Sequence, residues 1–385
     1  MTLRLRPSLV ALALLAIPAA APSALAAPAQ FEQTDVFVAG QDGVAEYRIP
    51  VLVTTKAGTL LAMCDARVER GGDPPNYVRA VMKRSTDGGR TWGRLQVLAD
   101  PGRGAAVADS CGVVDRQTGT IWVFSDYCPV GVGSGNAVRG ISGATVMYKA
   151  VRSDDDGLTW SAPIDFTAMM KKPSWRAGSF GPGKGIQMRN GRLVMPRYYN
   201  DSDTDTDDHA ICFVSYSDDH GRTWQFGGEA NTAGKTNECQ VAEMADGSLL
   251  LNMRGTVGNR RKVARSRDGG ATWSAVSEDA ALIEPRCQGS LESYTDSVGS
   301  DRDRLLFSNP ASLKRENLTV RLSTDAGRTW AAAKVIQPGP AAYSCLSILP
   351  DLTVGCLYER GEKKAYERIT FAHFNLEWLT GGAVK

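Results

Sequence analysis

Ser85-Thr86-Asp87-Gly88-Gly89-Arg90-Thr91-Trp92 is the first of five matches to the pattern Ser-x-Asp-x-Gly-x-Thr-Trp; the others run from Ser153 to Trp160, Ser217 to Trp224, Ser266 to Trp273 and Ser323 to Trp330. Each follows a short strand-like run, such as Val78 to Lys83, Ile211 to Tyr216 or Leu318 to Leu322. In a tight turn of this composition Ser and Asp bond backbone N–H groups, Gly takes positive φ, and Trp buries its ring between layers. A Ser/Asp pair also invites a catalytic reading, but an element that recurs with every supersecondary unit is a folding device.

A second, weaker repeat places a turn before an apolar strand at Gly58, Gly119, Gly191, Gly247, Asp303 and Leu352, with starts 61, 72, 56, 56 and 49 residues apart. Six units of about four short strands fit a six-bladed β-propeller of four-stranded antiparallel blades better than a sandwich. Helical periodicity is largely absent. The sixth unit lacks the Ser-Asp-Gly-Trp turn, so Phe31 to Val38 is expected to supply its outer strand and close the ring.

Composition agrees with this all-β reading. Of 385 residues 40 are Gly, 43% are hydrophobic and 22% charged, and the formal charge is +2. That balance excludes a disordered, collagen-like or nucleic-acid-coating chain. Arg4 and Arg6, an apolar run from Leu9 to Ile17 and Ala24-Leu25-Ala26 read as a secretory signal peptide over residues 1–26. Its removal leaves 42 basic and 42 acidic residues, with no field for a polyanion or membrane surface. No later stretch approaches the ~20 apolar residues of a membrane helix. The expectation is a secreted or periplasmic monomer, with one propeller domain over residues 30–381, no nucleic-acid partner and no membrane insertion.

Eight cysteines suit an oxidising compartment but are too sparse for a disulfide scaffold. Cys111/Cys128 and Cys345/Cys356 each bracket a turn, and either cross-strand pairs or isolated buried thiols fit. With only His209, His220 and His373 available, a His-based metal site or a Ser-His-Asp triad has little material. Gly178 to Lys184 matches G-x-x-x-x-G-K, yet Gly185 stands where a Ser or Thr should hold Mg²⁺ and no helix follows, so it reads as a blade-edge loop. Asp201-Ser202-Asp203-Thr204-Asp205 is calcium-like, but Thr206 and Cys212 occupy the positions of the required Gly and Glu.

Blade topology sorts residues by end. The repeated turns follow the third strand and gather on one face; the starts of first strands and ends of second strands meet on the other. There lie Arg48, Arg67, Asp73, Glu238, Arg254, Arg315, Tyr343 and Glu359. Arginines converging from different blades repel unless an anion sits between them, and a carboxylate or phosphate suits the bidentate guanidinium fork.

These residues carry a resemblance. The five turns look like the Asp boxes of bacterial secreted sialidases (neuraminidases), Tyr47-Arg48-Ile49-Pro50 looks like their Arg-Ile-Pro motif, and the likeness spans roughly residues 30 to 380. It implies an exo-α-sialidase that removes terminal sialic acids from glycoproteins, glycolipids and oligosaccharides with no cofactor and no metal. By resemblance, Arg48, Arg254 and Arg315 clamp the substrate carboxylate, Tyr343 is the nucleophile, Glu238 its base and Asp73 the general acid/base with Arg67 beside it. Glu359 is expected to support Arg48 from behind. A neutral phenol suits an anomeric carbon that already bears a carboxylate, and it needs a base. Trans-sialylation, selectivity for a deaminated sugar, and a non-catalytic sialoglycan-binding propeller are the alternative readings. Trp175, Tyr198 and Tyr199 fit either a substrate pocket or core packing.

Overall fold

The computed structural model describes residues 28–202, 209–230, 235–294 and 303–382. The expected signal peptide lies outside the described residues, as do Asp203, Thr204 and Asp205 of the calcium-like run. The chain is all-β; among the described residues α-helix is confined to Thr167–Met170 and Leu376–Thr380. Among the described residues no helix is long and apolar enough to cross a membrane.

Strands follow one another as antiparallel neighbours. The first unit runs Glu46–Thr54, Leu60–Arg67, Val78–Ser85 and Gln96–Ala99, and the second Ala106–Val114, Ile121–Cys128, Met147–Ser153 and Ile164–Asp165. In the third the inner strand is split into Ala177–Phe180 and Ile186–Gln187, both paired with Leu193–Asn200; Ala210–Ser217 and Gln225–Ala230 complete it. The fourth is Thr236–Glu243, Leu249–Gly255, Arg260–Ser266 and Ser277–Ile283. Ser290–Ser293, Leu305–Pro310 and Glu316–Ser323 lead into the long strand Ala332–Ile348, whose first half closes the fifth unit and whose second half opens the sixth. Val354–Arg360 and Arg368–Phe374 follow, and Phe31–Val38 pairs with the latter from the far end of the chain. Among the described residues the strands form four hydrogen-bonded sheets, none closed on itself.

Burial falls outward within each unit. Every residue of Leu60–Arg67 and Ile121–Cys128 is buried, whereas Ser277–Ile283 is mostly exposed. Inner strands covered on both faces need continuous apolar runs, which is why alternation is weak in the sequence.

The five repeated turns share one geometry. In the first, the Ser85 hydroxyl donates to Asp87 Oδ1 (2.7 Å) and accepts from Gly89 N (2.9 Å), while Asp87 accepts from Thr91 N (3.0 Å) and Thr91 Oγ1 (2.6 Å). The same bonds recur around Asp155, Asp219, Asp268 and Asp325. Two successive residues take positive φ, not the Gly alone: Gly88 with Gly89, Asp156 with Gly157, His220 with Gly221, Gly269 with Gly270, Ala326 with Gly327. The second of each pair presses on a neighbouring unit, since a Cβ there would stand 2.9 Å from Leu61 at Gly157, 2.5 Å from Trp122 at Gly221 and 2.1 Å from Phe371 at Gly89. The Trp rings are less buried than expected: Trp224 is buried, and Trp92, Trp160, Trp273 and Trp330 only half so.

All eight cysteines are buried free thiols. Neither bracketed pair is in register: Cys128 faces Ala106 and Cys111 faces Phe124, several residues apart on the ladder, whereas Cys345 faces Leu357 and Cys356 faces Leu346, one residue off because a bulge between Ala341 and Ser344 shifts the ladder. Gly183–Lys184 is a short strand paired in parallel with Cys111–Gly112, and Lys184 Nζ lies 2.5 Å from Glu292 Oε2. Trp175 stacks on Tyr199 (4.3 Å, 7°) and packs edge-on to Phe213 (5.3 Å), so it belongs to a core cluster.

Candidate active site

A bulge interrupts four inner strands near their starts. The register shifts between Arg48 and Val51, Ala108 and Cys111, Thr236 and Cys239, and Ala341 and Ser344. A bulge sets two residues against one and re-aims the side chains it carries. Glu238 thereby lies across from Arg254, and Tyr343 across from Glu359, each within its own unit. Ile49 and Asp109 take positive φ (61° and 52°) in two of these bulges; a side chain held there marks an imposed conformation.

The phenol of Tyr343 donates to Glu238 Oε1 and accepts from Arg254 Nη1 at 3.3 Å. Arg254 Nη1 also stands 2.8 Å from Glu238 Oε2. Arg48 and Arg315 approach the Tyr343 ring, with guanidinium carbons 5.1 Å and 5.4 Å from its centroid. Burial raises the Tyr343 phenol well above its ordinary value and the Glu238 charge raises it further, against the pull of Arg254 and Arg315. The hydroxyl is therefore a neutral donor at rest, and Glu238 is placed to take its proton.

Glu359 is fully buried and accepts from Arg48 Nε (2.7 Å), Ile49 N (2.8 Å) and Tyr343 N (3.1 Å). One carboxylate thus ties the bulges of the first and sixth units. It takes only the Nε edge of Arg48, leaving both terminal nitrogens without a hydrogen-bond or ion-pair partner among the described residues. Arg315 has no carboxylate partner among them; it donates to Tyr366 Oη (2.8 Å) and to the Arg286 carbonyl (3.0 Å).

Asp73 sits at the rim. Its side chain is 79% exposed, and Arg67, 3% exposed, holds it through Nη2 at 2.6 Å. Glu46 Oε1 lies 3.6 Å from the other Arg67 nitrogen. The loop bearing Asp73 is tied to itself by Arg70 Nη2 on the Pro75 carbonyl (2.6 Å) and by Asn76 Nδ2 on the carbonyls of Arg70 and Gly72 (3.0 Å each). The structure brings Arg48, Glu238, Arg254, Arg315, Tyr343 and Glu359 into one contacting set, and Arg67 with Asp73 form a separate pair whose charges act on Asp109 together with those of Arg48 and Glu238. Among the described residues, no group of three or more His, Cys, Asp or Glu could hold a metal ion.

Sequence reasoning passed over Asp109 and Tyr366. Asp109 stands at the bulge of the second unit as Glu238 and Tyr343 do at theirs, a position that only the strand pairing reveals. Burial, with the Glu238 and Asp73 charges, pushes its carboxyl up to about 7 against the opposing Arg67 and Arg48. Tyr366 lies in a connecting loop and carries no motif.

A family profile described as "BNR repeat-like domain" matches residues 58–356. The sialidase of Micromonospora viridifaciens is 39% identical over 365 residues, 91% of this chain and 55% of that protein, so the chain spans about half the length of that curated relative. Sialidase-2 of Cricetulus griseus is 30% identical over 88% of this chain and 94% of its own length. Among solved structures, the Hadza microbial sialidase Hz136 superposes with a TM-score of 0.82 at 36% identity, covering 90% of this chain and 69% of that one.

Proposed function

The chain belongs to the sialidase family, and from that membership and the geometry of the site we propose that it is an exo-α-sialidase with Tyr343 as nucleophile. The observation that carries the mechanism is the Tyr343 hydroxyl donating to Glu238 while accepting from Arg254. On this reading Arg48, Arg254 and Arg315 bind the carboxylate at the anomeric carbon of a terminal sialic acid. Glu238 takes the phenolic proton as Tyr343 Oη bonds to that carbon, and the bond to the leaving sugar oxygen breaks. Asp73 delivers its proton to that oxygen, because a sugar alkoxide is a poor leaving group. Asp73, now ionised, takes a proton from water; the water attacks the same carbon, and Tyr343 leaves and recovers its proton from Glu238. Two displacements at one carbon return the original configuration. Arg67 keeps the exposed Asp73 aimed through both halves.

The substrates on this reading are sialylated glycans, cleaved by a monomer whose propeller spans residues 30–381 and which a signal peptide over residues 1–26 directs to the periplasm or medium. Support for a closed six-bladed ring comes from the pairing of Phe31–Val38 with Arg368–Phe374 and from Gly89 of the first unit pressing on Phe371 of the sixth. The test is turnover of a fluorogenic α-sialoside by the full chain and by Tyr343→Phe. Release of product by the wild type, lost in the variant, is expected; a wild type that binds the sugar and does not cleave it would leave a sialoglycan-binding protein.

A further inference from the structure

The three clamp arginines are not held alike. Arg48 has Glu359 behind it and Arg254 has Glu238 beside it, at 2.7 Å and 2.8 Å. Arg315 has only neutral partners among the described residues, a phenol and a backbone carbonyl. That phenol is Tyr366, and its other contact is with a second clamp arginine: the Arg48 guanidinium carbon lies 4.0 Å from the centre of its ring. One side chain therefore touches two of the three cations, one by its face and the other by its edge.

The Tyr366 ring packs half-buried against a cluster containing Ile49, Cys287, Ala342 and Tyr343. Its loop is fixed from within: the Glu367 carboxylate accepts from the N–H groups of Glu362 (3.0 Å), Lys363 (3.0 Å) and Lys364 (3.1 Å). Gly361 opens that loop where a Cβ would stand 2.0 Å from the Lys364 carbonyl oxygen, so the tight return needs glycine. Tyr366 is thus presented to the arginines on a pre-formed support.

We propose that Tyr366 is a positioning residue of the arginine clamp, its ring carrying Arg48 and its hydroxyl holding Arg315, so that both guanidiniums are set at their angle before a carboxylate arrives. This rests on the reading of the three arginines as a carboxylate clamp. Two guanidiniums brought together in an empty site repel one another, and the Arg48 charge acts against that of Arg315 here. A third acid between them would remove the repulsion but would also occupy the nitrogens that bind substrate. A tyrosine face and a phenolic oxygen attract both cations without a formal charge and leave the clamp electropositive. The substrate then meets donors already arranged, and less ordering is charged against binding.

The experiment measures the dissociation constant of 2-deoxy-2,3-didehydro-N-acetylneuraminic acid and of its methyl ester on the full chain, with kcat and KM on a fluorogenic α-sialoside and the melting temperature. In Tyr366→Leu, which loses face and hydroxyl, affinity for the acid should fall by roughly 30-fold, with KM rising in parallel and kcat changing by less than about threefold. Tyr366→Phe keeps the face, and a loss of roughly threefold to tenfold is expected. Binding of the ester, which has no carboxylate charge, should be nearly unchanged in both. Equal losses for acid and ester would show a collapsed pocket rather than a mispositioned clamp, and unchanged acid affinity in a folded Tyr366→Leu would overturn the proposal. If the Leu variant does not fold, unchanged acid affinity in Tyr366→Phe overturns it. A wild type that binds the acid without cleaving the sialoside refutes hydrolysis and leaves the Tyr366 comparison intact.

Discussion

Arg67 is buried and Asp73 is exposed, yet their side chains meet at 2.6 Å, so a carboxylate projecting into solvent is fixed from below by a cation that cannot move away. An acid that protonates a leaving group needs both access and direction. General acid catalysis is worth roughly 10²–10⁴-fold. Asp73→Ala should lose that much in kcat/KM on sialyl-lactose and far less on an aryl sialoside whose phenolate leaves unaided. Equal losses on the two substrates would assign the proton to another group.

Tyr343→Phe removes the proposed nucleophile and leaves the arginines and Glu359 in place. Turnover should drop by roughly 10³-fold or more, while affinity for the didehydro acid changes by less than about tenfold. Peptide mass spectrometry after reaction with a fluorinated sialosyl donor should place the label on Tyr343, and a label elsewhere refutes the assignment.

Asp109 predicts a pH dependence whose sign follows from its raised pKa. Below about 7 its carboxyl is protonated and neutral; above, it adds a negative charge beside Glu238 and Asp73. Affinity for an anionic sugar should therefore fall as pH rises through about 7, and Asp109→Asn should flatten that part of the profile. Folding gives the same sign: the folded state holds this proton more tightly than the unfolded chain, with its ordinary value of 3.8. The penalty thus appears as pH rises from about 4 to 7 and is full above it. Asp109→Asn should raise the melting temperature at pH 8 and leave it nearly unchanged at pH 4.

The repeated turns predict the opposite behaviour in acid. Bonds from the Thr side chain and from backbone N–H groups hold Asp87, Asp155 and Asp268 down to about 2, from 3.8. Burial raises Asp219 and Asp325, but the same bonds outweigh it and leave them lowered. A depressed carboxylate stabilises the fold fully above its unfolded value and loses that contribution as pH falls through the folded one. Melting temperature should accordingly decline most steeply between about pH 4 and 2. Thr91→Val, which removes one such donor, should make the decline shallower; an unaltered profile would separate the turns from acid stability.

Gly89→Ala tests the contact between the two ends of the chain. At φ +89° a Cβ is strained, and it would stand 2.1 Å from the Phe371 ring. Left-handed strain and overpacking together cost about 2–5 kcal/mol. Gly88→Ala meets nothing within 4 Å and has a similar φ, +74°, so it isolates the strain alone. Equal melting temperatures for the two variants would show that the Phe371 contact yields.

Local chemistry makes the architecture legible in the order of residues alone. A turn in which Ser, Asp, Gly and Thr satisfy one another's backbone within eight residues is written in adjacent letters, and five copies at blade spacing report repeated antiparallel units. The site residues are readable for the same reason, since Arg48, Glu238, Arg254, Tyr343 and Glu359 lie at strand ends that the repeat places on one face. What tertiary structure alone decides is how those side chains are aimed. The bulges at Arg48, Asp109, Glu238 and Tyr343 leave no mark in composition, because two residues opposite one is a relation between strands. The one-residue offset between Cys345 and Cys356 follows from the same shift. Tyr366 is invisible in the sequence because its partners Arg48 and Arg315 are distant along the chain and its contacts, a ring face and a hydroxyl, exist only once two loops have converged on a strand bulge.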